Sequence, residues 1–190
     1  MTAPPPDAAS LHEAALNYLA RYAATERGLR RILERRIDRW ARAESSGGGD
    51  PEATAQQAAA ARDLVCGVVT RLVAAGAVND AEFAAGRVRS LARGGRSQRA
   101  IAAHLAAKGV GSEAIRATLG DDSEGELAAA LISARRRRIG PFRGCDVTEP
   151  AQRHKELGAL ARLGFTRDVA ERALVMDRDA AETLISKARR

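Results

Sequence analysis

The run from Val78 to Leu119, VNDAEFAAGRVRSLARGGRSQRAIAAHLAAKGVGSEAIRATL, constrains this chain more than any other stretch. It reads as three short helices in succession. A short side-chain oxygen at Asn79 or Asp80 can accept from backbone N–H groups that have no intrahelical partner, which caps the first helix. Phe83, Ala84, Val88 and Leu91 then give that helix an apolar stripe. Gly94 and Gly95 end it, because glycine enters the left-handed conformation at little cost. Ser97 caps the second helix, in which Ile101, Ala102, Leu105 and Ala106 recur at the spacing of one helical face, and Lys108-Gly109 stops it. Ser112 is expected to cap the third, carried by Ile115 and Leu119. A unit of this length is the size of a helical repeat.

The outline recurs on both sides. Upstream, Thr25-x-x-x-Leu29-x-x-x-Leu33 matches Ser97-x-x-x-Ile101-x-x-x-Leu105, and Leu11, Leu16 and Leu19 fall where Phe83, Val88 and Leu91 fall. Downstream, Leu160 to Phe165 lies over Leu105 to Val110, followed by a helix ending in Leu174 where the middle one ends in Leu119. The expected fold is therefore all-α: three tandem three-helix repeats in an elongated, curved array, with a disordered tail over residues 1–9 and repeats over 10–78, 79–120 and 121–190. Aromatic residues make up only 3% of the chain, so each core has to be aliphatic and each repeat has to lean on its neighbour.

Pro4-Pro5-Pro6 excludes a helix interior, and Ser10 is the expected cap of the first helix, which runs from Leu11. The second helix places Leu29, Ile32, Leu33, Ile37 and Trp40 on one face. Arg27, Arg31, Arg35 and Arg42 occupy the other, read as a solvated surface partly paired with Glu34 and Asp38. Ser45 to Asp50, within an insert spanning residues 44–51, has the composition of a flexible linker. Pro51 suits the first position of a long third helix with Leu64, Val65, Val68, Val69, Leu72 and Val73 on its apolar face, and Cys66 is expected in its core. Asp121, Asp122 and Ser123 read as a cap rather than a metal site. Pro150 opens a helix that Gly164 ends, and Thr166 starts the last one.

Charge is distributed unevenly. Residues 1–78 carry 10 basic and 9 acidic side chains, residues 79–120 carry 7 and 3, and residues 121–190 carry 14 and 12, so the middle repeat holds more than half of the net +7. Such a chain suits a polyanionic or acidic partner. Arg87, Arg89, Arg93, Arg96, Arg99 and Lys108 are the candidates for a charged binding face, arginine being suited to bidentate pairing with carboxylate or phosphate. From the Arg135–Arg138 run at most two side chains can address one surface, and Arg135 and Arg136 join the candidates.

The run Val78-Asn79-Asp80-x-Glu82-Phe83-Ala84, then Arg87, then Arg99-x-Ile101-x-x-x-Leu105-x-x-Lys108-Gly109-Val110, resembles the RecX family, bacterial regulators of the RecA recombinase. Ala15-Leu16-x-Tyr18-Leu19-Ala20-Arg21, leading into Thr25, is similar to that family's opening segment. The resemblance implies docking in the groove of the RecA–single-stranded DNA filament by a monomer. It also implies suppression of filament growth, ATP hydrolysis, strand exchange and co-protease action. Weak non-specific DNA binding is compatible with that role.

No catalytic residue, metal or cofactor is expected. His12, His104 and His154 lack partners at metal-ligand spacing, Cys66 and Cys145 have no pairing pattern, and no nucleophile or phosphate-loop motif occurs. With no signal-peptide pattern and no run approaching ~20 apolar residues, the expected location is the cytoplasm. A second reading is a DNA-binding regulator using Ser97 to Leu119 as a helix-turn-helix. In that case Arg116 would be the only long basic side chain on a recognition helix that begins Ser112-Glu113.

Overall fold

A computed structural model describes residues 4–144 and 149–189; Cys145, Arg190 and the first three residues of the expected tail lie outside the described residues. Ten α-helices follow in order: α1 (Ala8–Leu19), α2 (Glu26–Ser46), α3 (Pro51–Ala74), α4 (Asp80–Arg93), α5 (Gln98–Lys108), α6 (Ser112–Leu119), α7 (Ser123–Arg137), α8 (Pro150–Arg162), α9 (Arg167–Val175) and α10 (Arg178–Arg189). A single 3-10 turn, Gly140–Phe142, lies between α7 and α8, and no strand occurs among the described residues. The chain is all-α and divides into two compact units, Met1–Phe83 with Lys108–Val110, and Ala84–Ala107 with Gly111–Arg190.

The first unit is built on the α2–α3 hairpin, against which α1 packs. Leu29, Leu33 and Ile37 of α2 meet Ala58, Ala61, Val65, Val68, Val69 and Leu72 of α3, with Leu11 and Ala15 of α1. Small alanines let the backbones approach closely, and burial of the leucine and valine side chains contributes about 1.5–3 kcal/mol each. Asp7 rather than Ser10 caps α1. Its side chain accepts from the Ser10 N–H at 2.8 Å, and the Ser10 hydroxyl accepts from the Asp7 N–H at 3.0 Å, closing a reciprocal box that starts the helix at Ala8. α2 runs on through Ser45 and Ser46, and the glycines after it make a tight turn into Asp50, whose carboxylate caps α3 above Pro51.

Two expectations for α3 are corrected. Cys66 is exposed, and Leu64 and Val73 are 41% and 38% exposed, because at about 100° per residue they lie about 90–110° around the helix axis from the centre of the buried stripe formed by Val65, Val68, Val69 and Leu72.

α7 is the centre of the second unit. Every residue from Leu127 to Ala134 is buried, the pattern of a helix covered on all sides. α9 and α10 supply Val169, Ala170, Ala173, Leu174, Ala181 and Ile185 to this core, and α8 supplies Leu160. The expected single last helix is two: Met176 leaves helical geometry, and Asp177 starts α10 by accepting from Asp179 and Ala180 N–H. Ser112 does not cap α6; it is the first helical residue after Gly111, which offers no side chain for the purpose. None of the described helices is long and apolar enough to cross a membrane.

One linkage recurs within each unit. In the first, Thr25 caps α2 by accepting from Gly28 N–H at 2.9 Å while its hydroxyl donates to the Lys108 carbonyl at 2.7 Å. In the second, Ser97 caps α5 by accepting from Ala100 N–H at 3.2 Å while its hydroxyl donates to the Leu163 carbonyl at 2.7 Å. Both carbonyls precede a glycine with positive φ, +91° at Gly109 and +92° at Gly164. The first backbone N–H of the capped helix meets a carboxylate in each case: Asp80 accepts from Glu26 at 2.8 Å and Glu126 from Gln98 at 2.8 Å. Asn79 is the residue that caps α4, accepting from Ala81 and Glu82, which leaves Asp80 for α2.

Candidate functional site

α4 carries three of the candidate arginines. Residues two apart on a helix are separated by about 200° around its axis and residues four apart by about 40°, so Arg89 and Arg93 share a face while Arg87 lies on the other side; all three are exposed. Arg89 and Arg93, with Val88 and Ala92, line a cleft of about 440 Å³ completed by the start of α7 and the end of α10. Its floor is apolar, formed by Ala128, Ala129, Ile132 and Leu184. Lys187 and Glu124, paired at 2.8 Å, lie on the opposite rim, and Asp122 completes it.

Arg96 follows on a turn that α7 holds in place, and Arg99 on the first turn of α5. Gly95 has φ +77°, and a Cβ there would fall 2.9 Å from Ile132 Cγ2 and 3.2 Å from the Ala129 carbonyl, so only glycine lets the turn approach α7 this closely. The Ser133 hydroxyl donates to the Gly95 carbonyl at 2.7 Å, and the Arg136 guanidinium donates to the Gly94 carbonyl. Glu126 and Asp122 fix the start of α5 through Gln98 N–H and Gln98 Nε2. Burial pushes the Glu126 carboxyl above its ordinary value. The Gln98 bond pulls it back and the Asp122 charge raises it further. The Arg99 stem lies against Gly164, with its head exposed.

The other candidates have different settings. Lys108 is exposed at the end of α5 and belongs to the first unit, where its carbonyl receives the Thr25 hydroxyl. Arg135 pairs with Glu182 of α10 at 2.8 Å and is only partly exposed. Arg136 is exposed but spends its guanidinium on the α4–α5 turn. Structural work by Arg135 and Arg136 is not visible in sequence, because Glu182 and Gly94 lie more than forty positions away.

The arginine face of α2, expected as a solvated surface partly paired with Glu34 and Asp38, is a second basic surface. On α2 the expected neutralisation is thinner than composition suggests, because Asp38 pairs with Arg62 of α3 at 2.7 Å and Glu26 with Arg30 at 2.6 Å. Arg27, Arg31, Arg35 and Arg39 recur at four-residue intervals, while the near-zero net charge of residues 1–78 favours the solvated reading. Among the described residues no group of three or more histidine, cysteine or carboxylate side chains is arranged to hold a metal ion.

Fold and surface together define a class: an all-helical protein that displays arginines in files along its helix faces. Comparison with known proteins gives that class a family. Residues 79–119 match the family model described as RecX, second three-helix domain. The Regulatory protein RecX of Myxococcus xanthus is 40% identical over 166 residues, covering 86% of this chain and 83% of that protein. The Regulatory protein RecX of Agrobacterium fabrum is 37% identical over 112 residues, 59% of each chain. A crystal structure of RecX from Lactobacillus salivarius shares the fold with a TM-score of 0.62 at 16% identity, covering 95% of this chain and 97% of that one. The chain belongs to the RecX family of regulatory proteins.

Proposed function

We propose that this chain is a non-enzymatic regulator, chiefly an inhibitor, of a RecA recombinase, acting in the cytoplasm as a monomer. It lies in the groove of the recombinase–single-stranded DNA filament and suppresses filament growth, ATP hydrolysis, strand exchange and co-protease activity. Three tandem helical repeats suit a groove several protomers long. The observation that carries this reading is membership of the RecX family, through a relative 40% identical across most of both chains. The placement of Arg89 and Arg93 on one helix face, with Arg96 on the following turn and Arg99 at the start of α5, supports it. A groove binder acts by bridging neighbouring protomers and favouring one filament state, which requires different affinities for two states and not occupancy alone.

The test is charge reversal at two exposed positions. R93E/R96E is expected to retain the parent's helicity while losing most of its inhibition of recombinase ATP hydrolysis on single-stranded DNA. A folded double variant that inhibits like the parent would remove these residues from the binding face. Tight, sequence-dependent binding to duplex DNA without recombinase would replace this reading with that of a DNA-binding regulator.

A further inference from the structure

We infer that the outer face of α2 is a rail for the phosphodiester backbone of a nucleic acid, gripped by Arg27, Arg31, Arg35, Arg39 and Arg42. Leu29, Leu33 and Ile37 are fully buried, which turns these five arginines outward, and all five are exposed. They succeed one another at intervals of about one helical turn over about 22 Å. Arg31, Arg35 and Arg42 form no ion pair among the described residues, since Asp38 is bound to Arg62 and Glu26 to Arg30; Arg39 makes only a long bond to the Arg35 carbonyl, at 3.4 Å. Glu34, exposed at the flank, is the carboxylate nearest the file in sequence that has no ion-pair partner among the described residues.

Two features favour a phosphate backbone over an acidic protein. Protein interfaces centre on apolar side chains, and the file offers none, with Gly28, Asp38, Ser45 and Ser46 sharing its face. Arginine forks at regular intervals match a polymer of equally spaced anions, whose binding is insensitive to sequence. Length agrees as well. α2 has 21 residues where α5 has 11 and α8 has 13, and Arg39 and Arg42 lie on the extra turns.

This assignment deepens the proposed function by naming the nucleic-acid contact, and rests on it only for the setting in which a strand is met. The test therefore omits the recombinase. Full-length R31Q/R35Q/R42Q is titrated by fluorescence anisotropy against a mixed-sequence single-stranded oligonucleotide, the corresponding duplex and polyglutamate of matched charge, over a range of salt. R31K/R35K/R42K preserves the charge, and R153Q/R162Q/R178Q is the charge-matched control on the second unit. The glutamine variant is expected to lose affinity roughly tenfold or more at low salt. The slope of log K against log salt should fall by roughly 2 for single strands and 2.7 for duplex, about 0.7 and 0.9 per lost contact. The lysine variant and the control should stay within about threefold of the parent, and the two nucleic acid arms show which form the rail prefers. Equal losses in the glutamine variant and the control, unchanged binding by the glutamine variant, or parent binding to polyglutamate as tight as to either nucleic acid would overturn the assignment. Should the glutamine variant lose helicity, a lysine variant that is folded yet bound tenfold more weakly or worse would also overturn it.

Discussion

Glu156 is a buried carboxylate whose charge the second unit has to satisfy internally. It is 2% exposed on α8, and its carboxylate accepts from the Arg143 guanidinium at 2.5 Å, from Gly140 N–H at 3.2 Å and from Gln152 Nε2 at 3.4 Å. One side chain thus ties the turn after α7 onto α8. Glu156→Gln keeps the shape and one acceptor but removes the charge that faces Arg143, itself 19% exposed. Removing one member of a buried pair destabilises by about 3–5 kcal/mol, because the remaining charge stays desolvated. The partial exposure of Arg143 puts the loss at the lower end, about 3 kcal/mol. With a urea m-value of about 2 kcal/mol/M, the midpoint followed by circular dichroism should fall by about 1.5 M. The companion R143L/E156L removes both charges and should recover most of the loss, since well-packed apolar replacements of buried pairs are near neutral. A glutamine variant within about 0.5 kcal/mol of the parent, or a double variant no better than the single, would refute the reasoning.

Other outcomes follow from the same geometry. Gly109→Ala and Gly164→Ala should each destabilise by about 1–3 kcal/mol in urea unfolding, since both have positive φ and the added methyl would meet Arg27 Cβ at 2.6 Å or Ser97 Oγ at 2.7 Å; unchanged midpoints would show that these junctions tolerate side chains. Because the folded pKa of Glu126 is raised above its ordinary value of 4.5, the stability this group contributes is full below that value and is lost as pH rises through the raised one. Glu126→Gln should flatten this decline, and a parental slope in the variant would contradict the burial argument. Cys66 should be alkylated in the native protein, with peptide mapping as the readout, and Cys66→Ser should change stability by less than about 0.5 kcal/mol; protection of Cys66 until unfolding would place it back in a core.

Most of the helical framework was legible because its signals are local. Thr25 with Leu29 and Leu33, and Ser97 with Ile101 and Leu105, all fall where spacing put them, with the four aliphatic residues buried and both hydroxyls capping. Gly95, Gly109 and Gly164 stop their helices with the positive φ that their type permits. What escaped was the partner at a distance. The same two hydroxyls also reach carbonyls 83 and 66 positions away. Single-residue offsets explain other misses: Cys66 sits one step past Val65 and so turns outward, and Asp7 lies close enough to a proline run that the cap was sought at Ser10. Of the candidate surface, spacing alone puts Arg89 and Arg93 together and sends Arg87 elsewhere. The opposite wall of the cleft, from α7 and α10, is tertiary information that spacing does not contain.

Co-sedimentation tests the regulatory reading most directly. Preformed filaments of a RecA recombinase on single-stranded DNA are pelleted with the intact chain at low salt, beside a sample lacking recombinase. The chain is expected to pellet in saturable proportion to recombinase and to stay in solution without it. A chain that remains in the supernatant with filaments present would contradict filament binding altogether.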